Sequence, residues 1–194
     1  MLIFSKMVEL KKKSNKSKGL EREIDLPEGV GAHIEHNSIH LKYQDKEIKR
    51  KFLKVVIEKK DSQIIIRTKR STKREKKQIN TVVAHIKNML KGLKEDFVYK
   101  LQICAVHFPM TVSVQDGEVI IRNFLGEIKE RRAKIMEGTE VEIEREIVTV
   151  SSANKEHAGQ TAANIENAVQ TKNKDKRIFQ DGIFIIEKSG REML

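Results

Sequence analysis

Residues 39–51, IHLKYQDKEIKRK, alternate apolar and polar positions on both sides of a short polar turn, the pattern of a β-hairpin. The pattern returns in VIIRNFLGEIKER, residues 119–131, at an offset of 80 residues. Ile39, Leu41 and Lys42 correspond to Val119, Ile121 and Arg122. Glu47, Ile48 and Lys49 correspond to Glu127, Ile128 and Lys129. Gly126 can take the positive φ that a tight turn requires. Leu26-Pro27 and Phe108-Pro109 precede the two hairpins, and Pro27, lacking a backbone donor, suits a strand start or an edge.

Downstream, each half predicts a strand and then a helix. The first strand is QIIIRT, 63–68. Its helix carries Ile79, Val82, Val83, Ile86, Leu90 and Leu93 at steps of three and four, which makes one apolar face. The second strand is EIVTV, 146–150, followed by a helix with Ala158, Ala162, Ile165 and Val169 on one face and Ser152 as the expected N-cap. Ile86 and Asn88 match Ile165 and Asn167 at an offset of 79. Further strands are expected within 48–59 and 99–108, and Gly92 with KEDF marks the junction between halves. The expected fold class is α+β: two tandem copies of a small antiparallel-sheet-plus-helix domain. The expected division is a basic N-terminal extension over 1–20, a first α+β domain over 21–95, a second over 96–175, and a C-terminal tail over 176–194 packed on the second domain and RNA.

Charge changes the picture next. The chain has 194 residues, with 39 Lys and Arg against 28 Asp and Glu, a formal net charge of +11. The excess is patched. Residues 1–20 carry +5, RTKRSTKREKK (67–77) +6, KERRAK (129–134) +3 and KNKDKR (172–177) +3, so the remainder is −6. Basic patches on an otherwise acidic chain are the electrostatic footprint of a nucleic-acid binder. The first long helix opens among cations, which oppose its dipole and call for an external anion. Arg122, Lys129, Arg131, Arg132 and Lys134 would line one hairpin. Residues 1–20, rich in Lys, Ser and Asn, cannot bury enough surface to fold alone, and order against a partner is expected.

No catalytic constellation emerges. His33, His36 and His40 hint at a metal, but strand alternation puts His33 and His36 on opposite sides. Cys104 and His107, three apart on an expected strand, face opposite ways, and a lone Cys there reads as core. There is no phosphate-binding Gly loop and no paired-carboxylate motif. No cofactor, metal or small-molecule substrate is expected, and the chain does not read as an enzyme. No apolar run reaches the length of a membrane span, the N-terminus is a poor secretory signal, and a single Cys allows no internal disulfide. A reducing compartment, cytosol or nucleus, is the expected location.

The order INTVVAHIKNMLKG, FVYKLQICAVHFPM, EVIIRNFLGE and TKNKDKRIFQDGIFIIEK resembles large-subunit ribosomal protein six, called protein nine in eukaryotic numbering. The likeness runs from about Ile24 to Lys188, nearer the eukaryotic and archaeal branch than the bacterial one. RNFLGE, 122–127, and Arg177-x-Phe179-x-Asp181-Gly182 carry it most specifically. The first hairpin turn, YQDKE, departs from that family's Gly-Pro-Lys-Gly type.

The resemblance implies two tandem α+β domains on large-subunit rRNA, near the sarcin–ricin loop and stalk base. It implies neighbouring large-subunit ribosomal proteins as partners and an indirect link to translational GTPases. It also implies a cytoplasmic place in the ribosome, with nucleolar assembly in a eukaryote. The expected RNA-binding residues are Arg67, Lys69, Arg70, Lys73 and Arg74 at the first helix, Arg122, Lys129, Arg131 and Arg132 on the second hairpin, and Lys172, Lys174, Lys176 and Arg177 in the tail. Phe179 and Phe184 are expected to fix the tail onto the second domain, with Asp181-Gly182 as the turn between them. The rival readings are a free nucleic-acid-binding or RNA-chaperone module acting off the ribosome, and a small α+β enzyme.

Overall fold

The computed structural model describes residues 19–35, 38–44, 46–60, 62–175 and 177–193. The extension expected over 1–20 lies outside them except for Gly19 and Leu20, as do His36 and Lys176.

The first copy comprises β1 (Glu21–Asp25), β2 (Gly31–Glu35), β3 (Ser38–Tyr43), β4 (Lys46–Lys51), β5 (Val56–Lys60), β6 (Gln63–Arg67) and α1 (Lys73–Lys94). Its strands form two antiparallel sheets, ordered β1-β6-β5 and β2-β3-β4. The second copy comprises β7 (Phe97–Cys104), β8 (Thr111–Gln115), β9 (Glu118–Arg122), β10 (Arg131–Lys134), β11 (Glu140–Glu144), β12 (Ile147–Ser152) and α2 (Lys155–Ala168). Its sheets run β11-β12-β7 and β10-β9-β8, the same order strand for strand. Two further strands, β13 (Gly182–Lys188) and β14 (Arg191–Glu192), extend the first of these beyond β7. The tandem sheet-plus-helix architecture is therefore present.

Each copy has its own core. In the first, Ile39, Leu41, Ile64 and Ile66 from the sheets meet Ile79, Ile86 and Leu93 from α1. In the second, Leu101, Val119, Ile121, Val148 and Val150 meet Ala158, Ala162 and Ile165 from α2. Small residues on α2 let it lie close to its sheet, where α1 uses branched ones. Thr72 caps α1 and forms a reciprocal pair with Glu75, satisfying two backbone N–H groups that the first turn leaves open. The N-cap of α2 is Asn154, which accepts from the Glu156 N–H. Ser152 instead accepts from the Asn154 N–H and donates to the Gly138 carbonyl, so the helix begins two residues later than expected.

The second hairpin also departs from the repeat. In the first copy Ile48 pairs with Leu41 and is buried. In the second, Ile121 pairs with Arg131 and not with Ile128, which is fully exposed. Residues 123–126 form a corner in which Asn123, Leu125 and Gly126 all take positive φ. That corner drives Phe124 into the core and delays the return strand by three residues. The matching Glu-Ile-Lys triplets are thus not structural equivalents.

The copies touch where α1 ends. Gly92 lies so close to the Ala153 carbonyl that a β-carbon there would collide with it. Lys46 donates to Asp96 at 2.7 Å. Arg50 pairs with Glu156, and His85 lies between them, its Nδ1 3.0 Å from the same carboxylate and its Nε2 3.4 Å from Arg50 Nη2. Burial, and then the adjacent Arg50, hold the His85 imidazole below its ordinary value. A guanidinium can only donate, so Nε2 accepts from Arg50 and Nδ1 carries the proton toward Glu156. None of the described helices is long and apolar enough to cross a membrane.

Candidate nucleic-acid interface

The tail between α2 and β13 folds back as a compact turn. The Asp175 carbonyl accepts from the Ile178 and Phe179 N–H groups, and its carboxylate accepts from the Arg177 N–H. Asp181 then anchors the turn. Its side chain is 2 % exposed and accepts from the backbone N–H groups of Val106 and His107, at 2.8 and 2.9 Å. His107 Nδ1 lies 2.6 Å from the other carboxylate oxygen, so that nitrogen carries the proton. The His107 ring stacks on Phe179 at 5.1 Å between centroids, and Lys174 Nζ sits 4.5 Å over Phe179. A basic segment is thereby laminated onto the end of β7.

Sequence reasoning missed this anchor. It took Asp181 for a turn residue and placed His107 on a strand, but β7 stops at Cys104 and His107 lies beyond it. The thiol of Cys104 is half-buried, and burial first, then Glu146 and Asp181, push it up, which leaves it a weak nucleophile. Phe179 packs the tail against His107, whereas Phe184 on β13 stays 46 % exposed and rests against Gly182.

Burial alone would push the Asp181 carboxyl up, but the hydrogen bonds from His107 and Val106 outweigh it and hold the group below the ordinary carboxylate value. A depressed folded-state value stabilises the anchor above the ordinary carboxylate range and loses that stability as pH falls through the folded value. Acidification should therefore release the tail before the second sheet melts. Ring-proton NMR should show Phe179 losing its His107 ring-current shift while Val148 and Val150 amides stay protected. Simultaneous loss of both would disprove this order.

The other expected cations fall into two groups. Arg67 bridges Glu21 and Glu58 across β1, β6 and β5. Arg122 pairs with Glu130 at 2.8 Å, and Arg132 lies between Glu118 and Glu130 at 3.6 and 3.5 Å. Arg131 makes a two-pronged contact with Glu127, lies 4.3 Å over Phe124, and donates to the Ala168 and Gln170 carbonyls. Its hydrogen bond pulls the Glu127 carboxyl down. This guanidinium clasps the C-terminus of α2, where the helix dipole favours a cation. By contrast Lys69, Arg70, Lys73, Arg74, Lys129, Lys172, Lys174 and Arg177 are exposed, and none makes an ion pair among the described residues.

These cations form two separate clusters. Arg131 ties the hairpin to the start of the tail, so Lys129, Lys172, Lys174 and Arg177 belong to one end of the second copy. Lys69, Arg70, Lys73 and Arg74 stand at the start of α1, whose other end abuts the second copy. At 1.5 Å per residue that helix separates its two ends by about 30 Å. His33 and His40 face each other across β2 and β3 with rings 6.3 Å apart, and no group of three metal-ligating side chains occurs among the described residues. Beside the tail, a cavity of about 600 Å³ opens between the end of β7, the C-terminus of α2 and the start of β13.

The sequence is similar to known proteins. A family model described as Ribosomal protein L6 matches residues 108–182. The Large ribosomal subunit protein uL6 of Methanococcus vannielii is 42 % identical over 174 residues, covering 89 % of this chain and 96 % of its own. That of Methanobrevibacter smithii is 41 % identical over 171 residues, 87 % of this chain and 96 % of its own. That of Methanothrix thermoacetophila is 40 % identical over 169 residues, 86 % and 96 %. Likeness at this level across nearly the whole of each relative, on two copies of one sheet-and-helix unit, shows that the chain belongs to the archaeal branch of the ribosomal protein L6 (uL6) family.

Proposed function

We propose that this protein is a structural constituent of the large ribosomal subunit, working in the cytoplasm, that binds rRNA near the sarcin–ricin loop and the stalk base. The observation that supports RNA binding is the pair of basic clusters without acidic partners, one at the start of α1 and one at the tail end of the second copy, held by cores that meet at Gly92 and the Arg50–His85–Glu156 contact. Phosphate contacts from two fixed clusters hold RNA segments at a set spacing. The contacts fall first on Lys69, Arg70, Lys73, Arg74, Lys129, Lys172, Lys174 and Arg177, with Lys176 beside them in sequence. Arg67, Arg122, Arg131 and Arg132 meet phosphate only by exchanging a carboxylate partner. The named place on the rRNA follows from the family likeness, and the effect on translational GTPases is indirect, through RNA shape.

In this reading residues 21–95 and 96–175 are the two binding domains, 176–194 seal the second, and 1–20 add charge without sequence specificity. Neighbouring large-subunit proteins are its other partners. Sedimentation of host lysate tests the reading: the chain should stay with large subunits through a moderate-salt wash. Recovery at the top of the gradient would instead make it a free RNA-binding module.

A further inference from the structure

We propose that the cavity beside the tail is a pocket for one unstacked nucleobase of the bound RNA, and that it favours a base bearing an amino group. The inference rests on the rRNA-binding reading and deepens it.

The cavity is about 600 Å³, within the range of small-ligand sites, and its walls include Val106, Ile183, Phe179 and Phe184. Phe184 is the unusual member. It follows buried Gly182 and Ile183 on β13, yet the residue remains 46 % exposed. Its ring lies across Gly182: a β-carbon there would come within 2.8 Å of Cζ. The missing side chain lets the ring rest against the backbone, which fixes its orientation and leaves a flat apolar surface at the cavity. Phe179 is already engaged, stacked on His107 and lying under Lys174, so Phe184 is the platform with room. Sequence-specific RNA recognition uses this arrangement, an extruded base stacked on an aromatic ring.

The rim determines which base. Gln170 uses one of its two amide N–H groups on Asn167 at 2.8 Å, and Gln180 one of its own on the Arg177 carbonyl at 3.3 Å. Both side-chain carbonyls remain as acceptors. Glu166 receives one long bond, from the Ile185 N–H at 3.4 Å, on Oε1. The Glu166 carboxylate can only accept and so selects for donors, while the two Gln amides adapt to either, and adenine, guanine and cytosine present an amino group where uracil presents only one ring N–H. An apolar side chain from a neighbouring protein would match the walls but leave these acceptors without partners. Charge complementarity favours the same occupant. Lys172, Lys174 and Arg177 lie on the segment that bounds the cavity and are placed to neutralise the phosphates flanking an inserted base.

The test uses the full chain and five RNA hairpins, identical except for a one-nucleotide bulge that is A, G, C, U or abasic. Affinity is read by fluorescence anisotropy across a salt series. The A, G and C bulges should bind about tenfold tighter than the abasic one, with U between them, and all five should share one salt slope. Phe184→Ala should collapse the five affinities together, Phe184→Tyr should keep the order, and Glu166→Gln should narrow the gap between U and the amino-bearing bases. Equal affinities with a normal salt slope in the unaltered protein would overturn the pocket, assign the cavity to an apolar side chain of a neighbouring protein, and leave the rRNA interface standing. Absence of salt-dependent binding to any of the five would remove both.

Discussion

Replacing Lys172, Lys174 and Arg177 together by Gln should flatten the salt dependence of rRNA binding by about 2–3 in log–log slope, since each phosphate contact contributes roughly 0.7–0.9. If altered and unaltered proteins converge at 1 M salt, the loss at 0.15 M is on the order of a hundredfold. The three cations are exposed and free of ion pairs among the described residues, so removing them breaks no carboxylate partner. Asp181, His107 and Phe179 hold the segment in place without them, although Lys174 gives up its contact with the Phe179 ring. Lys46→Gln is the control. That cation pairs with Asp96, and its loss should leave the slope unchanged. A filter-binding series in which the triple variant keeps the original slope would rule out the tail as a phosphate contact.

The second large effect is on stability. Phe124 is 1 % exposed, sits in the second core and lies beneath Arg131. Phe124→Ala should cost about 3–5 kcal/mol through lost burial and the cavity left behind. None of the buried residues of the first core belongs to the second. The destabilisation should therefore appear as a split melt. Amides of Val148 and Val150 should lose exchange protection at a temperature where Ile64 and Ile66 keep theirs. One transition, lowered equally for both sets, would show that the contact at Gly92 and Ala153 couples the copies into one folding unit.

Much of the fold was legible because it rests on short-range periodicity. The alternation around Leu41 and Ile121, and the apolar stripes through Ile86 and Ile165, are local signals, and both stripes are buried against sheets. The extra corner at 123–126 was hidden because Glu127-Ile128-Lys129 repeats Glu47-Ile48-Lys49 by letter while pointing to solvent. The basic runs were visible as composition. Which cations are already spent was not, because Arg131 meets Ala168 and Gln170 nearly 40 residues away. The Asp181–His107 anchor joins positions 74 residues apart, and no window along the chain can show such a pair.

The added strand β13 bears on how the chain survives its own synthesis. β1 and β7 are equivalent, β1 lying beside β6 and β7 beside its counterpart β12. Among the described residues nothing pairs with the outer side of β1, and its sequence, Glu-Arg-Glu-Ile-Asp, repels any strand that might template on it. β7 has no such protection: Phe97, Tyr99, Leu101 and Ile103 make it apolar, and left bare it would invite self-association. β13 closes that side by intramolecular strand addition. It is made long after β7, so the first copy can finish folding early, while the second stays adhesive until the chain has passed Lys188. A nascent chain stalled before that point would be a seed for aggregation, and chaperone demand should peak there.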